Sequence, residues 1–393
     1  MKRTVRNKMP QVAVLLESSH ETSRAMLQGI LQYVRAHGPW SISTVLGGAD
    51  DQRVPDTDKW KGDGIIGRIP NDTAADAIIR SELPAVIFNP YDRYLERNHP
   101  LSYFFRVQCN SHEIGTLAAD FLLGRNTEHF AYVGWPEEIN WSRWRYEAFT
   151  KRLKQNNRKC HFYPQPPCTK TDWNSERSLL CRWLKKLPKP AAVFAANDNR
   201  ARQVLDACLF SGIAVPYELT VLGVNNDTLV CETCIPTLSS ININNRDAGY
   251  KAAEMLDFLM QGRKPPERIA TYGTGGITER ASTEELQVSD PLVIKALEYI
   301  RINGGLNIRV SDVAAYLDVT PRWAENRFKD ITGNSLHKAI HKARMKSICS
   351  LLRETEMSLT DMARRCGFSR LHHLCDIFKK EFGITMSEYR KKG

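Results

Sequence analysis

Arg322, Glu325, Asn326 and Lys329 fall on one side of a 3.6-residue wheel, opposite an inward set of Ala324, Phe328 and Ile331. Arg and Asn can each bond a purine edge through two hydrogen bonds, an acidic side chain can accept from cytosine, and Lys suits phosphate. The same wheel after Ser369 turns Leu371, Leu374, Ile377 and Phe378 inward and leaves His372, Asp376 and Lys379 outward, with Arg370 and His373 beside them. These outward residues form a candidate surface for reading a duplex. Cys366, His372, His373 and Cys375 also resemble a metal set, but the helical wheel explains them better.

A second constellation sits where short apolar runs end and helical patterns begin, the place where open α/β sheets bind ligands. Glu17 and Ser18 follow one run, Asn197 and Asp198 another, and Asn225 and Asp227 a third; Trp141 and Arg145 open a helix after a fourth. Planar polar groups that bond adjacent hydroxyls, together with an aromatic face, are what a sugar cleft requires. Catalysis has no comparable support. Walker-type GxxxxGK[ST], HExxH and GxSxG patterns are all missing, and Gly273-Thr274-Gly275-Gly276 lacks the strand-to-helix setting of a phosphate cradle. Cys231-x-x-Cys234 is an isolated pair, so neither a metal nor a cofactor is expected.

The elements that must hold these residues alternate. Strand-like runs at 12–16, 64–69, 85–89, 130–135, 191–195 and 220–224 are interleaved with helical patterns at 23–36, 112–123, 143–155, 200–211 and 247–261. Such alternation predicts βαβ units and parallel sheets in two lobes. Around 273–289 the apolar beat stops in a Gly, Thr, Glu and Ser-rich stretch, read as the end of the lobes and a linker. Beyond it only helices are expected. Two segments there repeat, since Phe328 and Phe378 stand 50 residues apart, as do Gly333 and Gly383. Each copy reads as helix, turn and second helix, with turns at Asp318-Val319 and Gly367-Phe368. Thr320 before Pro321 is an N-cap followed by a proline at the first helical position. The intervening 336–355 pattern is long enough to hold the copies apart, so that two helices enter successive major grooves roughly 34 Å apart.

Charge agrees with a polyanionic partner. The 393 residues carry a formal charge of +11. From Asp290 to Gly393 there are 19 Lys and Arg against 12 Asp and Glu. No apolar run approaches the roughly 20 residues that cross a bilayer, and five apolar residues after the basic start are too few for a signal core. A cytoplasmic location without membrane contact is therefore expected, with ten scattered cysteines kept as thiols.

The stretch from Val310 to Arg390, ending Phe378-Lys379-Lys380-Glu381-Phe382-Gly383-Ile384-Thr385-Met386-Ser387-Glu388-Tyr389-Arg390, resembles the AraC/XylS family of tandem helix-turn-helix regulators. Met386 stands where that family usually has proline. The preceding lobes resemble the periplasmic-binding-protein fold of lactose-repressor-type regulators, with DNA binding moved to the carboxyl end. Leu16-Glu17-Ser18-Ser19, Gly62-Asp63-Gly64-Ile65-Ile66 and Ala196-Asn197-Asp198 make the combination similar to the xylose-operon-regulator-like family. The resemblance implies an α/β two-lobed periplasmic-binding-protein-like domain at 1–278 for ligand sensing and dimerisation. A linker at 279–289 and an all-α tandem helix-turn-helix domain at 290–393 follow. It also implies that Arg145, Asn197 and Asn225 hold the effector, although Asp is usual at 225. The implied function is a DNA-binding activator of sugar catabolism genes, gated by a pentose such as xylose or a related monosaccharide. Its implied partners are a second copy of the chain, duplex DNA with repeated half-sites, and RNA polymerase. A solute-binding protein and a regulator of a non-sugar metabolite are the alternatives.

Overall fold

A computed structural model describes residues 9–44, 47–48, 60–125, 127–135, 139–164, 173–284, 288 and 290–392, with only the backbone at 173–175 and 392. The chain divides after Glu284 into two compact units.

The first unit holds two six-stranded sheets. One has the order β11-β5-β4-β3-β1-β2 and is built from β1 (Gln11–Leu15), β2 (Ser41–Thr44), β3 (Gly64–Gly67), β4 (Ala85–Phe88), β5 (Phe105–Cys109) and β11 (Ile269–Tyr272). All its pairs are parallel. The other has the order β12-β10-β9-β8-β6-β7, formed by β6 (His129–Val133), β7 (Cys160–Phe162), β8 (Ala191–Ala195), β9 (Leu219–Asn225), β10 (Ser239–Ile243) and β12 (Thr274–Thr278). Here only β12 runs antiparallel, against β10. Parallel strands need crossovers, and helices supply them on both faces, which is why Val12, Ala13 and Val14 are all fully buried.

Two helices cover the first sheet especially closely. α1 (Glu21–His37) packs on α8 (Asn245–Met260). A Cβ on Gly29 would lie 1.9 Å from the Arg246 carbonyl oxygen, and one on Gly249 1.9 Å from that of Met26. Backbone rather than a flexible side chain is met, so the helices would have to separate. Gly249→Ala is accordingly expected to destabilise the sensor unit by about 1–3 kcal/mol, read as a lower urea midpoint; an unchanged midpoint would refute this packing.

Periodicity alone leaves out β2, β5, β7, β10, β11 and β12, which are short or rich in Gly, Ser and Thr. The most consequential omission is the stretch at 273–289. Thr274–Thr278 is a strand of the second sheet, and Ser282 and Thr283 are fully buried beyond it. Ser282 Oγ donates to the Val221 carbonyl at 2.7 Å and accepts from the Ser239 amide at 2.8 Å. Hydrogen bonds do there what apolar contacts do elsewhere, so a polar segment taken for the start of a linker completes the second lobe. Residues 285–287 and 289 of the expected linker lie outside the described residues.

Among the described residues the second unit contains helices and no strand. α9 (Pro291–Asn303), α10 (Val310–Tyr316) and α11 (Pro321–Thr332) close one core around Val313, Ala324 and Phe328. α13 (Leu359–Arg365), α14 (Leu371–Phe382) and α15 (Met386–Lys392) close another around Met362, Leu374 and Phe378. α12 (Leu336–Glu354) gives Leu336 and Ile340 to the first core and Ile348 and Leu352 to the second. Its 19 residues span roughly 28 Å at 1.5 Å per residue.

Candidate functional site

Three crossings join the lobes of the first unit, at the junctions of β5 with α3 (Ser111–Leu123), of β10 with α8, and of β11 with β12. They are laced together. The Asn110 amide donates to the Tyr272 carbonyl at 2.8 Å and the Asn244 amide to that of Gly273 at 3.1 Å. Glu113 accepts from both the amide and hydroxyl of Thr274. A Cβ at 273 would lie 2.5 Å from the Glu113 carboxylate, so a side chain at this crossing would push that carboxylate off Thr274. Few residues carry the connection, and a hinge is built this way.

The carboxyl ends of the strands of both sheets carry the candidate ligand residues. In the first lobe Glu17 is buried. Ser18 is committed to its own loop, its hydroxyl accepting from the Gly47 amide at 2.9 Å and its carbonyl from Arg24 at 2.7 Å. In the second lobe α4 (Asn140–Gln155) presents Trp141 and Arg145. Gly115 of α3 sets the approach of α4, since a Cβ there would lie 2.3 Å from the Arg145 carbonyl oxygen. Arg145 is 4% exposed, its guanidinium 4.9 Å from the Trp141 ring centre. It donates to the Ala196 carbonyl, while its Nε is enclosed with no acceptor among the described residues. Asn197 adjoins that carbonyl and caps α6 (Asp198–Ser211), accepting from the Arg200 amide at 2.9 Å. Asn225 ends β9 in the left-handed region, φ 113°.

Two expected ligand residues have other work. Asp198 is 2% exposed, accepting from the Ser240 hydroxyl at 2.5 Å and the Asp227 amide at 2.8 Å. It organises the corner between β9 and α7 (Thr228–Thr233) from inside and does not face a ligand, because burial lets it bond only protein groups. Asp227 caps α7, accepting from the Val230 amide at 3.4 Å. Burial raises the Asp198 carboxyl from 3.8 to about 7, against the hydrogen bonds that favour its charge. The native chain then keeps a proton that the unfolded chain has lost, so this group favours folding at low pH and its contribution fades as pH rises from about 4 to about 7. Asp198→Asn is therefore expected to gain on the wild type between pH 5 and 7, by up to about 1.4 kcal/mol per pH unit, and to level off above. Urea melts at each pH check this; a pH-independent difference would contradict it.

Residues that sequence reasoning missed lie beside these. Strands expected to reach 69 and 89 end at Gly67 and Phe88, so Arg68 and Asn89 are the first residues beyond them. Asn89 donates to the Tyr272 hydroxyl at 2.7 Å and accepts from the Cys109 amide at 2.7 Å. The Nε of Arg68 and Nε1 of Trp135 are enclosed without acceptors among the described residues. Asn140 donates to the Pro90 carbonyl and to Asp92, both at 2.9 Å, and ties α4 to the first lobe. Arg200, fully buried, donates to the Gly134 carbonyl at 3.1 Å and pairs with Glu176 at 2.6 Å. Cys231 and Cys234 are buried, and burial pushes the Cys234 thiol up to about 12.

In the second unit Asp318 (φ 56°) and Gly367 (φ 79°) make the tight turns ahead of α11 and α14, and Gly333 and Gly383 end those helices in the left-handed region. Thr320 caps α11, accepting from the Trp323 amide at 3.3 Å. Arg322, Asn326 and Lys329 are exposed on α11; Arg370, His372, His373, Asp376 and Lys379 are exposed at the head of α14 and along it. His372 Nδ1 lies 3.0 Å from the Asp376 carboxylate, and His373 meets the Phe368 ring edge-on. Two expectations need correction. Glu325 is half-buried with one carboxylate oxygen enclosed, and Ile331, expected inward, is 37% exposed. A wheel assigns a face but not how far neighbouring helices extend along it. Trp323, 42% exposed, and Arg327, bonded to Asp290 at 2.9 Å, were not anticipated.

Residues 119–283 match a family of periplasmic binding protein-like domains and residues 313–392 a family of helix-turn-helix domains. The chain is 28% identical to the xylose operon regulatory protein of Haemophilus influenzae over 97% of this chain and 98% of that protein. It is 26% identical to the protein of the same name from Escherichia coli K12 over 98% and 97%. Its fold matches the structure of the xylose-binding transcription activator XylR with TM-score 0.84, at 26% identity and over 98% and 99% of the two chains. A complex of the regulator CelR with cellobiose matches at TM-score 0.55 and 16% identity over 70% of this chain, a likeness of fold alone. These full-length relatives regulate transcription and are not enzymes. The chain belongs to the XylR-like transcription regulators, which join a periplasmic-binding-protein-like, sugar-binding sensor domain to an AraC-type helix-turn-helix domain.

Proposed function

We propose that the protein is a sequence-specific activator of sugar catabolism genes, gated by a pentose such as xylose or a related monosaccharide held between the lobes of its sensor unit. Arg145 carries this reading. A buried guanidinium stacked on Trp141, with its enclosed Nε left without an acceptor among the described residues, offers the planar donor and aromatic face that a ring with adjacent hydroxyls requires. Glu17 after β1 of the first sheet, and Asn197 and Asn225 at the ends of the adjacent strands β8 and β9 of the second, complete the candidate cleft.

A ligand that bonds both walls favours the closed lobes by its differential affinity for the two states. Closure about three laced crossings then changes how the DNA-reading units of a homodimer are presented. α11 meets bases through Arg322 and Asn326 and phosphate through Lys329; α14 contributes Arg370, His372, His373, Asp376 and Lys379. RNA polymerase is the further partner of such an activator, and the cytoplasm its place of work. Among the described residues no helix is long and apolar enough to cross a membrane. Thermal-shift screening of the full chain against pentoses, hexoses and uronic acids tests the gate, since selective binding raises the melting point by mass action. Gel-shift titration with the best ligand should then alter operator affinity; no response to any of these sugars would overturn the reading.

A further inference from the structure

Two guanidinium groups stand at the cleft without a carboxylate partner among the described residues. Arg145 rises from the second-lobe wall, and Arg68 follows β3 in the first. The Nε of each is enclosed without an acceptor, and neither forms an ion pair with a carboxylate among the described residues. Both act on one phenol. Tyr272, buried at the end of β11 beside the hinge, is raised above the ordinary tyrosine range by burial and by Cys109, while the charges of Arg68 and Arg145 pull it back. Asn89, on the same hydroxyl, is neutral. So are Asn197 and Asn225 at the ends of β8 and β9, and Asp198 is turned inward to Ser240.

Enclosing part of a guanidinium without an opposite charge beside it is costly, and it persists where something else supplies the compensation. We propose that the effector carries an anionic group, a carboxylate or phosphate on a sugar skeleton, seated between Arg68 and Arg145 against Tyr272. The proposal rests on the sugar-sensing reading above and narrows it. A neutral aldose offers acceptors for the two Nε atoms but leaves both charges uncompensated. An amide at 225 suits an anion better than a carboxylate would, because a negative side chain there would repel it. Glu17, with the His20 ring 3.9 Å away, remains for the hydroxyls. Guanidinium groups match the planar fork of a carboxylate or the oxygens of a phosphate through paired hydrogen bonds.

Calorimetry on the full chain with D-xylose, D-xylonate and D-xylose 5-phosphate separates the cases. At least one charged sugar should bind about tenfold tighter than the neutral aldose, with an affinity that falls as salt rises. Arg68→Gln should weaken the charged ligand about 20-fold and leave the neutral sugar within about threefold, and Arg68→Lys should recover part of the loss. D-Xylose binding as tightly as either anion in the wild type, or Arg68→Gln weakening charged and neutral ligands alike, overturns the proposal while leaving sugar sensing intact. Failure of all three, and of every hexose and uronic acid, overturns the sugar reading as well.

Discussion

Arg145→Met is expected to lower effector affinity at least about 100-fold while leaving the operator affinity of the ligand-free protein within about threefold. The methionine keeps an apolar stem against Trp141 but removes the donors, and losing a buried, charge-assisted partner costs about 2–5 kcal/mol of binding. Some stability goes with it. The Ala196 carbonyl loses the donor it has from Arg145, which removes about 1–2 kcal/mol from folding. Calorimetry with the best ligand of the wild type, run beside a urea melt, distinguishes the effects. A variant that melts lower yet binds its effector undiminished would reduce Arg145 to a structural brace.

The second large effect belongs to α11. Arg322 and Asn326 lie four residues apart on its exposed side, opposite the buried Ala324 and Phe328. Replacing both with alanine is expected to weaken specific operator binding about 100-fold or more, since each bidentate base contact contributes about 1–3 kcal/mol of discrimination. Neither side chain is buried, so the melting point should hold. Lys329→Ala should act differently, weakening specific and random duplexes alike and lowering the salt dependence by about one unit of slope. Fluorescence anisotropy on operator and scrambled DNA reads both variants. Equal losses on the two duplexes for the Arg322 and Asn326 pair would remove them from base recognition.

The helical unit was largely legible because its signals are local and repeated. Two copies 50 residues apart, each with a turn, an aromatic anchor and a closing glycine, fix the helices that the structure contains. Cap chemistry at Thr320 and Pro321 marks the start of α11 to the residue. The long apolar strands β1, β8 and β9 were equally plain, as strands buried on both faces must be. What periodicity missed depends on partners distant in sequence. β11 and β12 are short, carry Thr and Gly, and are strands only because β5 and β10 lie beside them. Ser282 and Thr283 look like linker until their bonds to Val221 and Ser239 are seen.

The cleft was legible in the same partial way. Looking at strand ends offers Glu17, Arg145, Asn197 and Asn225 as candidates, but the rule is only as good as the ends themselves. Extending β3 by two residues hid Arg68, and extending β4 by one hid Asn89. Conversely, Asp198 and Asp227 stand at strand ends and cap or brace their own loops, a distinction that burial and hydrogen bonding decide and residue type does not.

Hydroxyl-radical footprinting of the full chain on its own promoter, with and without the effector, tests the link between cleft and helices most directly. The expected pattern is paired protected patches on one face of the DNA, about one helical turn apart for each protomer, whose occupancy or spacing changes when the effector is added. A single protected patch per protomer, or a pattern indifferent to a ligand that the sensor demonstrably binds, would contradict it.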